Sequence, residues 1–122
     1  MMIDYILNAL EGAIEWLVNI VVDIINGVID IYRDVRDWFR NLPLKKHRDI
    51  AWIAKANVLE KMLKTAPKIE GTGIFQDDNA IIEGVYNQED EAISHIRCIS
   101  SSDGVDNKIK NILKDAPVVI LE

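Results

Sequence analysis

The sequence predicts an α+β protein: a long apolar N-terminal helix, a second, basic amphipathic helix, and a small C-terminal α+β domain. Three observations carry that expectation. Residues 1–44 repeat with an eleven-residue period, residues 45–68 place apolar residues at helical spacing, and from Ile69 onward short apolar runs alternate with turn residues. The predicted division is 1–43, a hydrophobic self-association helix; 44–68, the basic helix; and 69–122, the α+β domain.

The N-terminal repeat is visible when the chain is cut into MMIDYILNALE, GAIEWLVNIVV, DIINGVIDIYR and DVRDWFRNLPL. One column holds Asp4, Glu15, Asn26 and Asp37, and another holds Asn8, Asn19, Asp30 and Asn41. Eleven residues make close to three helical turns, so these columns form a nearly straight polar thread on one continuous helix. The remaining surface is apolar, with a seam through Leu10, Ile14, Leu17, Val21, Ile24, Val28, Ile31, Val35 and Trp38. As one helix, residues 3–41 would extend roughly 58 Å at about 1.5 Å per residue. A compact domain of this length has a radius of gyration of only about 14 Å. The helix must therefore project or break near Asn26-Gly27, where helix propensity is poorest. A projecting helix needs a cover for the seam, and the expected cover is other copies of the chain or a helical partner protein.

Asn41-Leu42-Pro43 ends the first helix, because proline disfavours helical geometry in the residue before it. The second helix is expected from about Arg48 to Thr65, with Ile50, Ile53, Ala54, Val58, Leu59, Met62 and Leu63 on its apolar face and Pro67 beyond its end. In the last segment, Ala80–Tyr86 and Ala92–Ser100 flank the polar NQEDE and read as a hairpin. Ser102 or Asp103 is the expected cap of a helix over Val105–Lys114. Pro117 opens a final strand, Val118–Leu121, whose connection through a helix implies a right-handed crossover and parallel pairing with the Ala92 strand.

The net charge of −6 is unevenly spread. Residues 1–44 carry seven acids against three arginines, residues 45–68 seven Lys/Arg against two acids, and residues 69–122 eleven acids against four Lys/Arg. Overall acidity argues against nucleic acid as a partner, since phosphate neutralisation needs a contiguous basic surface. The Lys45-Lys46-His47-Arg48 cluster reads as a solvated face. The single cysteine, Cys98, rules out an internal disulfide framework and suits a reducing compartment. The N-terminus lacks the basic region of a secretory signal. The expected location is the cytoplasm or an assembly into which the protein is incorporated. Membrane association is the alternative, but any spanning window includes Glu15, Asp23 or Asp30, each costing a few kcal/mol near the bilayer centre. Only an oligomer with an acid-lined interior would accommodate them.

Signals of chemistry are weak. His95 and Cys98 stand on opposite faces of a strand, which separates them as metal ligands. Ser94-His95 has no third orienting group. Asp77-Asp78 and Glu89-Asp90-Glu91 lack the spacing of a calcium loop, and Gly71-Thr72-Gly73 lacks the Lys of a phosphate loop. Trp16, Trp38 and Trp52 read as packing or interface anchors. No residue is assigned a catalytic, cofactor-binding or metal-ligating role, and no cofactor is expected. The repetitive Ile/Asn/Asp/Trp pattern of the first 40 or so residues resembles stretches of bacteriophage tail-length proteins and other helical virion parts, which implies a helix devoted to assembly. The sequence thus leads to a non-enzymatic structural or assembly protein that oligomerises through its N-terminal helix. The alternatives are a membrane-associated oligomer and a small protein-binding or inhibitor module.

Overall fold

The first helix, α1 (Met2–Gly12), stops at Gly12. The computed structural model describes residues 2–64, 78–114 and 116–121, and the helix expected over residues 3–41 is divided among several elements. After α1 come α2 (Ile14–Val18), strand β1 (Val22–Ile24), a π-helical segment (Ile31–Arg36) and α3 (Asp37–Arg40). Local chemistry explains the breaks. Gly12 is a poor helix former, and residues 20–25 are all β-branched except Asp23, which favours extended backbone. Gly27 turns the chain at φ +83°, a conformation glycine adopts without steric cost.

The second expected helix is also corrected. Asp49–Lys55 is strand β2, and only Ala56–Met62 is helical, as α4. An apolar run such as IAWIA fits a strand covered on both faces as well as it fits a helix, and here both faces are covered. The chain continues through β3 (Ala80–Asn87), β4 (Ala92–Ser100), α5 (Asn107–Leu113) and β5 (Val118–Ile120). Strands β3 and β4 form the antiparallel hairpin. The cap of α5 is Asp106, whose carboxylate accepts from Ile109 N at 2.9 Å, in place of Ser102 or Asp103. Asp106 also accepts from Ile31 N at 3.2 Å, so one side chain starts α5 and holds the π-helical segment.

All five strands join one mixed sheet in the order β1-β4-β3-β2-β5. β1 lies parallel to β4, and the other neighbours are antiparallel. The final strand therefore pairs antiparallel with β2, and the parallel partner of β4 is β1. Helices cover both faces. Ile6 and Leu10 of α1, Leu17 of α2 and Leu59 of α4 pack over Trp52, Ala54, Ile82 and Cys98. On the other face Ile31, Val35 and Phe39, with Ile109 and Leu113 of α5, pack over Ile53, Ile81, Val85 and Ile99. The sheet thus draws strands from the N-terminal, middle and C-terminal thirds of the sequence.

At the centre, Trp52 of β2 pairs with Gly84 of β3. The indole lies over the glycine so closely that a Cβ there would stand 2.2 Å from Trp52 Cζ2. Gly84→Ala should therefore force the ring out of place and destabilise the protein by about 1–3 kcal/mol or more. Urea denaturation would register this as a lower midpoint, and Trp52→Leu in the Gly84→Ala background should recover part of the loss. An unchanged midpoint in Gly84→Ala would contradict the contact.

Candidate functional site

The nine seam residues do not share one stripe. Leu10 and Leu17 belong to the first core and Ile31 and Val35 to the second, with Ile14 and Trp38 packed at their margins. Val21, Ile24 and Val28 are exposed, the first two at 78% and 72%. The placement of the other six follows from the fold: α1 and α2 lie on one sheet face, and after α2 ends at Val18 the chain crosses to the other, so four are buried in the two cores and Ile14 and Trp38 are half-buried against them.

What stays outside is concentrated at β1. Trp16, Val18 and Val21 precede it, Ile24 follows Asp23 at its end, and Val28 follows the turn, all of them exposed. β1 is an edge strand, hydrogen-bonded on one side to β4 through the register Val22↔Cys98, Asp23↔Ile99 and Ile24↔Ser100. Its outer side presents backbone N–H and C=O groups. Edges of this kind template pairing with another chain unless short length, charge, Pro or a bulge blunts them; β1 is three residues long with neither Lys nor Pro, and Asp23 is its single charge. Asp4, Asn8, Glu15 and Asn19 of the polar thread face solvent.

Behind the edge lies a buried acid that the sequence reading missed. Glu83, in the middle of β3 and fully buried, accepts from Arg97 Nε of β4 at 2.8 Å. Arg97 also donates to the backbone carbonyl of Asp34, and its guanidinium lies 5.0 Å from the centroid of Trp38. The pair ties the hairpin to the π-helical segment. That segment is itself capped by Asp30, which accepts from Tyr32 N and Arg33 N while Asp34 accepts from Asp30 N. A detectable signal was present: Glu83 and Arg97 interrupt two apolar strands at positions that a hairpin places opposite each other.

The remaining candidates are dispersed. Ser94 Oγ is 3.1 Å from His95 Nδ1, but Asp49, the acid near His95, is engaged by Arg48 at 2.7 Å. Among the described residues no group of three or more His, Cys, Asp or Glu side chains is placed to hold a metal ion. Asp77 and Gly71-Thr72-Gly73 lie outside the described residues. The basic island is not one surface: Arg48 turns to Asp49, whereas Lys55 joins Lys110 and Lys114 around a separate cleft. A further cleft, of about 280 Å³, is lined by Arg36, Phe39, Arg40, Ala51 and Leu121 beside β5. Among the described residues no helix is long and apolar enough to cross a membrane. No protein-family model matches the chain, and no curated protein or solved structure matches it.

Burial pushes the Glu83 carboxyl up to about 8, against the opposing pull of the Arg97 charge. The folded protein then keeps this proton to about pH 8, while the unfolded chain releases it near the ordinary value of 4.5. Between those values the folded state binds the extra proton, so stability falls as pH rises through the window. Asp30 and Asp49 are shifted the other way, Asp30 by the backbone N–H groups of Arg33 and Tyr32 and Asp49 by Arg48, so both act only below about pH 4. Denaturant midpoints measured from pH 5 to 8 should decline in the wild type and be flatter in Glu83→Gln. Equal slopes in both would rule out Glu83 as the titrating group.

Proposed function

We propose that the protein is a non-enzymatic structural component that assembles with copies of itself, using the β1 edge as the contact. The observation that carries this reading is the concentration of exposed apolar side chains, Trp16, Val18, Val21, Ile24 and Val28, around a strand whose outer hydrogen-bonding groups have no partner strand among the described residues. Large apolar side chains left exposed together along one sheet edge mark an interaction site. Here it coincides with an edge capable of main-chain pairing, which supplies affinity through hydrogen bonds while side chains supply selectivity.

This places the assembly role on different ground from a projecting helix. The resemblance to helical virion parts is read on a continuous N-terminal helix, whereas the first helix, α1, ends at Gly12. The residues that keep the role are Val21, Ile24 and Val28, now supported by Trp16 and Val18. Leu10, Leu17, Ile31 and Val35 serve the core instead, and Leu17→Asp would damage the fold before it tested any interface.

The direct test replaces exposed residues only. Val21→Lys with Ile24→Lys should leave far-UV circular dichroism and thermal unfolding near those of the wild type, because exposed substitutions away from special features commonly change stability by about 0.5 kcal/mol or less. The same double variant should sediment as a monomer at concentrations where the wild type associates. A wild type that remains monomeric across the accessible concentration range would refute the proposal, as would a double variant that assembles as before.

A further inference from the structure

The opposite edge of the same sheet complements β1. Like β1, β5 is three residues long, and Ile120 on it is exposed. We infer that β1 of one copy pairs antiparallel with β5 of the next, so that the sheet continues from molecule to molecule. The inference rests on the self-association proposed above and names the surface that β1 takes.

Strand direction fits first. β1, β4 and β2 run one way, and β3 and β5 run the other. A second copy set beside β5 with the same sheet face upward therefore presents its β1 antiparallel to β5, the arrangement with hydrogen bonds perpendicular to the strands.

The two faces then match side chain by side chain. By strand alternation Val22 and Ile24 lie on the α1 face, with Val21 and Asp23 on the other. Likewise Val118 and Ile120 lie on the α1 face, and Val119 and Leu121 on the other. In the register that overlaps both strands fully, Ile24 meets Val118, Val22 meets Ile120, and Asp23 faces Val119. Leu121, one pleat from Val119 on the same face, lines the cleft that also holds Arg36 and Arg40. The single charge on β1 thus arrives beside the exposed guanidinium of Arg40. A twofold β1–β1 contact in its fully overlapped register would instead set Asp23 against its own copy, and like charges directly opposite are destabilising. A β5–β5 contact would leave the β1 patch uncovered.

A head-to-tail contact of this kind does not close on itself, so it propagates as an open chain. Each copy adds five strands. With about 20–25° of twist between neighbours, successive copies would be rotated by about 100–125°.

Charge reversal tests the pairing and its polarity together. Asp23→Arg and Arg40→Asp should each weaken assembly by about tenfold or more in sedimentation, the scale of losing a close charge pair. Mixed in equal amounts, the two variants should recover assembly as an alternating one-to-one chain, because the new Arg at position 23 of one meets the new Asp at position 40 of the other, and Asp23 of the second meets Arg40 of the first. A mixture that stays monomeric, or an Arg40→Asp protein that assembles like the wild type, would overturn the β5 pairing while leaving self-association through β1 standing. A wild type that never associates would overturn the parent proposal and this one with it. A second measurement avoids charge altogether: Ile24→Cys and Ile120→Cys proteins, treated with a short bismaleimide, should crosslink in mixture. Efficient crosslinking of Ile24→Cys with itself alone would indicate the twofold contact and refute the head-to-tail one. Cys98 is fully buried and does not compete for the reagent.

Discussion

The indole of Trp52 lying across Gly84 determines which way every side chain in the sheet points. The two residues are direct partners in the β2–β3 register, and the glycine leaves space for the ring where any side chain would collide. A slip of one residue would bring Trp52 opposite Val85 or Glu83 and turn a whole strand over. With the register held, Trp52, Ala54 and Ile82 form the floor for α1, α2 and α4, and Ile53, Ile81 and Val85 form the floor for the π-helical segment and α5. The indole Nε1 is buried with no hydrogen-bond partner among the described residues. That unpaired donor costs about 1–3 kcal/mol, offset by the large apolar area of the ring in the middle of the first core.

The same parity decides where the buried acid goes. Glu83 precedes Gly84, so it must point to the face away from Trp52, and there Arg97 stands opposite it. The acid is enclosed because the π-helical segment closes over that face. Arg97 reaches up to the Asp34 carbonyl and rests under Trp38, so the hydrogen-bonded pair acts as a fastener between the hairpin and a segment more than 40 positions earlier. Removing one member of a buried pair commonly costs more than the pair contributes, which is why Glu83→Gln, retaining shape and an acceptor, is a milder probe than truncation.

The legible parts of the sequence were those with local signals. The hairpin at 80–100 announced itself by two β-rich runs around a polar loop, and the short helix after it by a capping signal, although the cap lies at Asp106 and not at Ser102 or Asp103. The N-terminal third was not legible, because a segment apolar nearly all round satisfies both an eleven-residue helical repeat and a chain that crosses from one buried sheet face to the other. Only pairing with β4, far away in sequence, favours the second. IAWIA failed for the same reason: burial on both faces erases the two-residue alternation. At the candidate site, Val21, Ile24 and Val28 were singled out from the sequence, but as parts of a helical seam with six residues that the fold buries. The edge itself depends on strand order, which no local pattern encodes.

The parallel pairing of Val22 with Cys98 also has a consequence during synthesis. The apolar segment around β1 leaves the ribosome well before β4, and its ladder partner is not complete until Ser100 has been added. At about 5–20 residues per second, that delay is roughly 4–15 s. Throughout it, residues 14–35 are a nascent apolar stretch without a sheet to join, while α1 can form locally and the β3–β4 hairpin can close soon after it emerges. An early segment is therefore held for a strand made much later, and the yield of folded protein in a cell should depend on elongation speed and on chaperones that hold that stretch until its partner arrives.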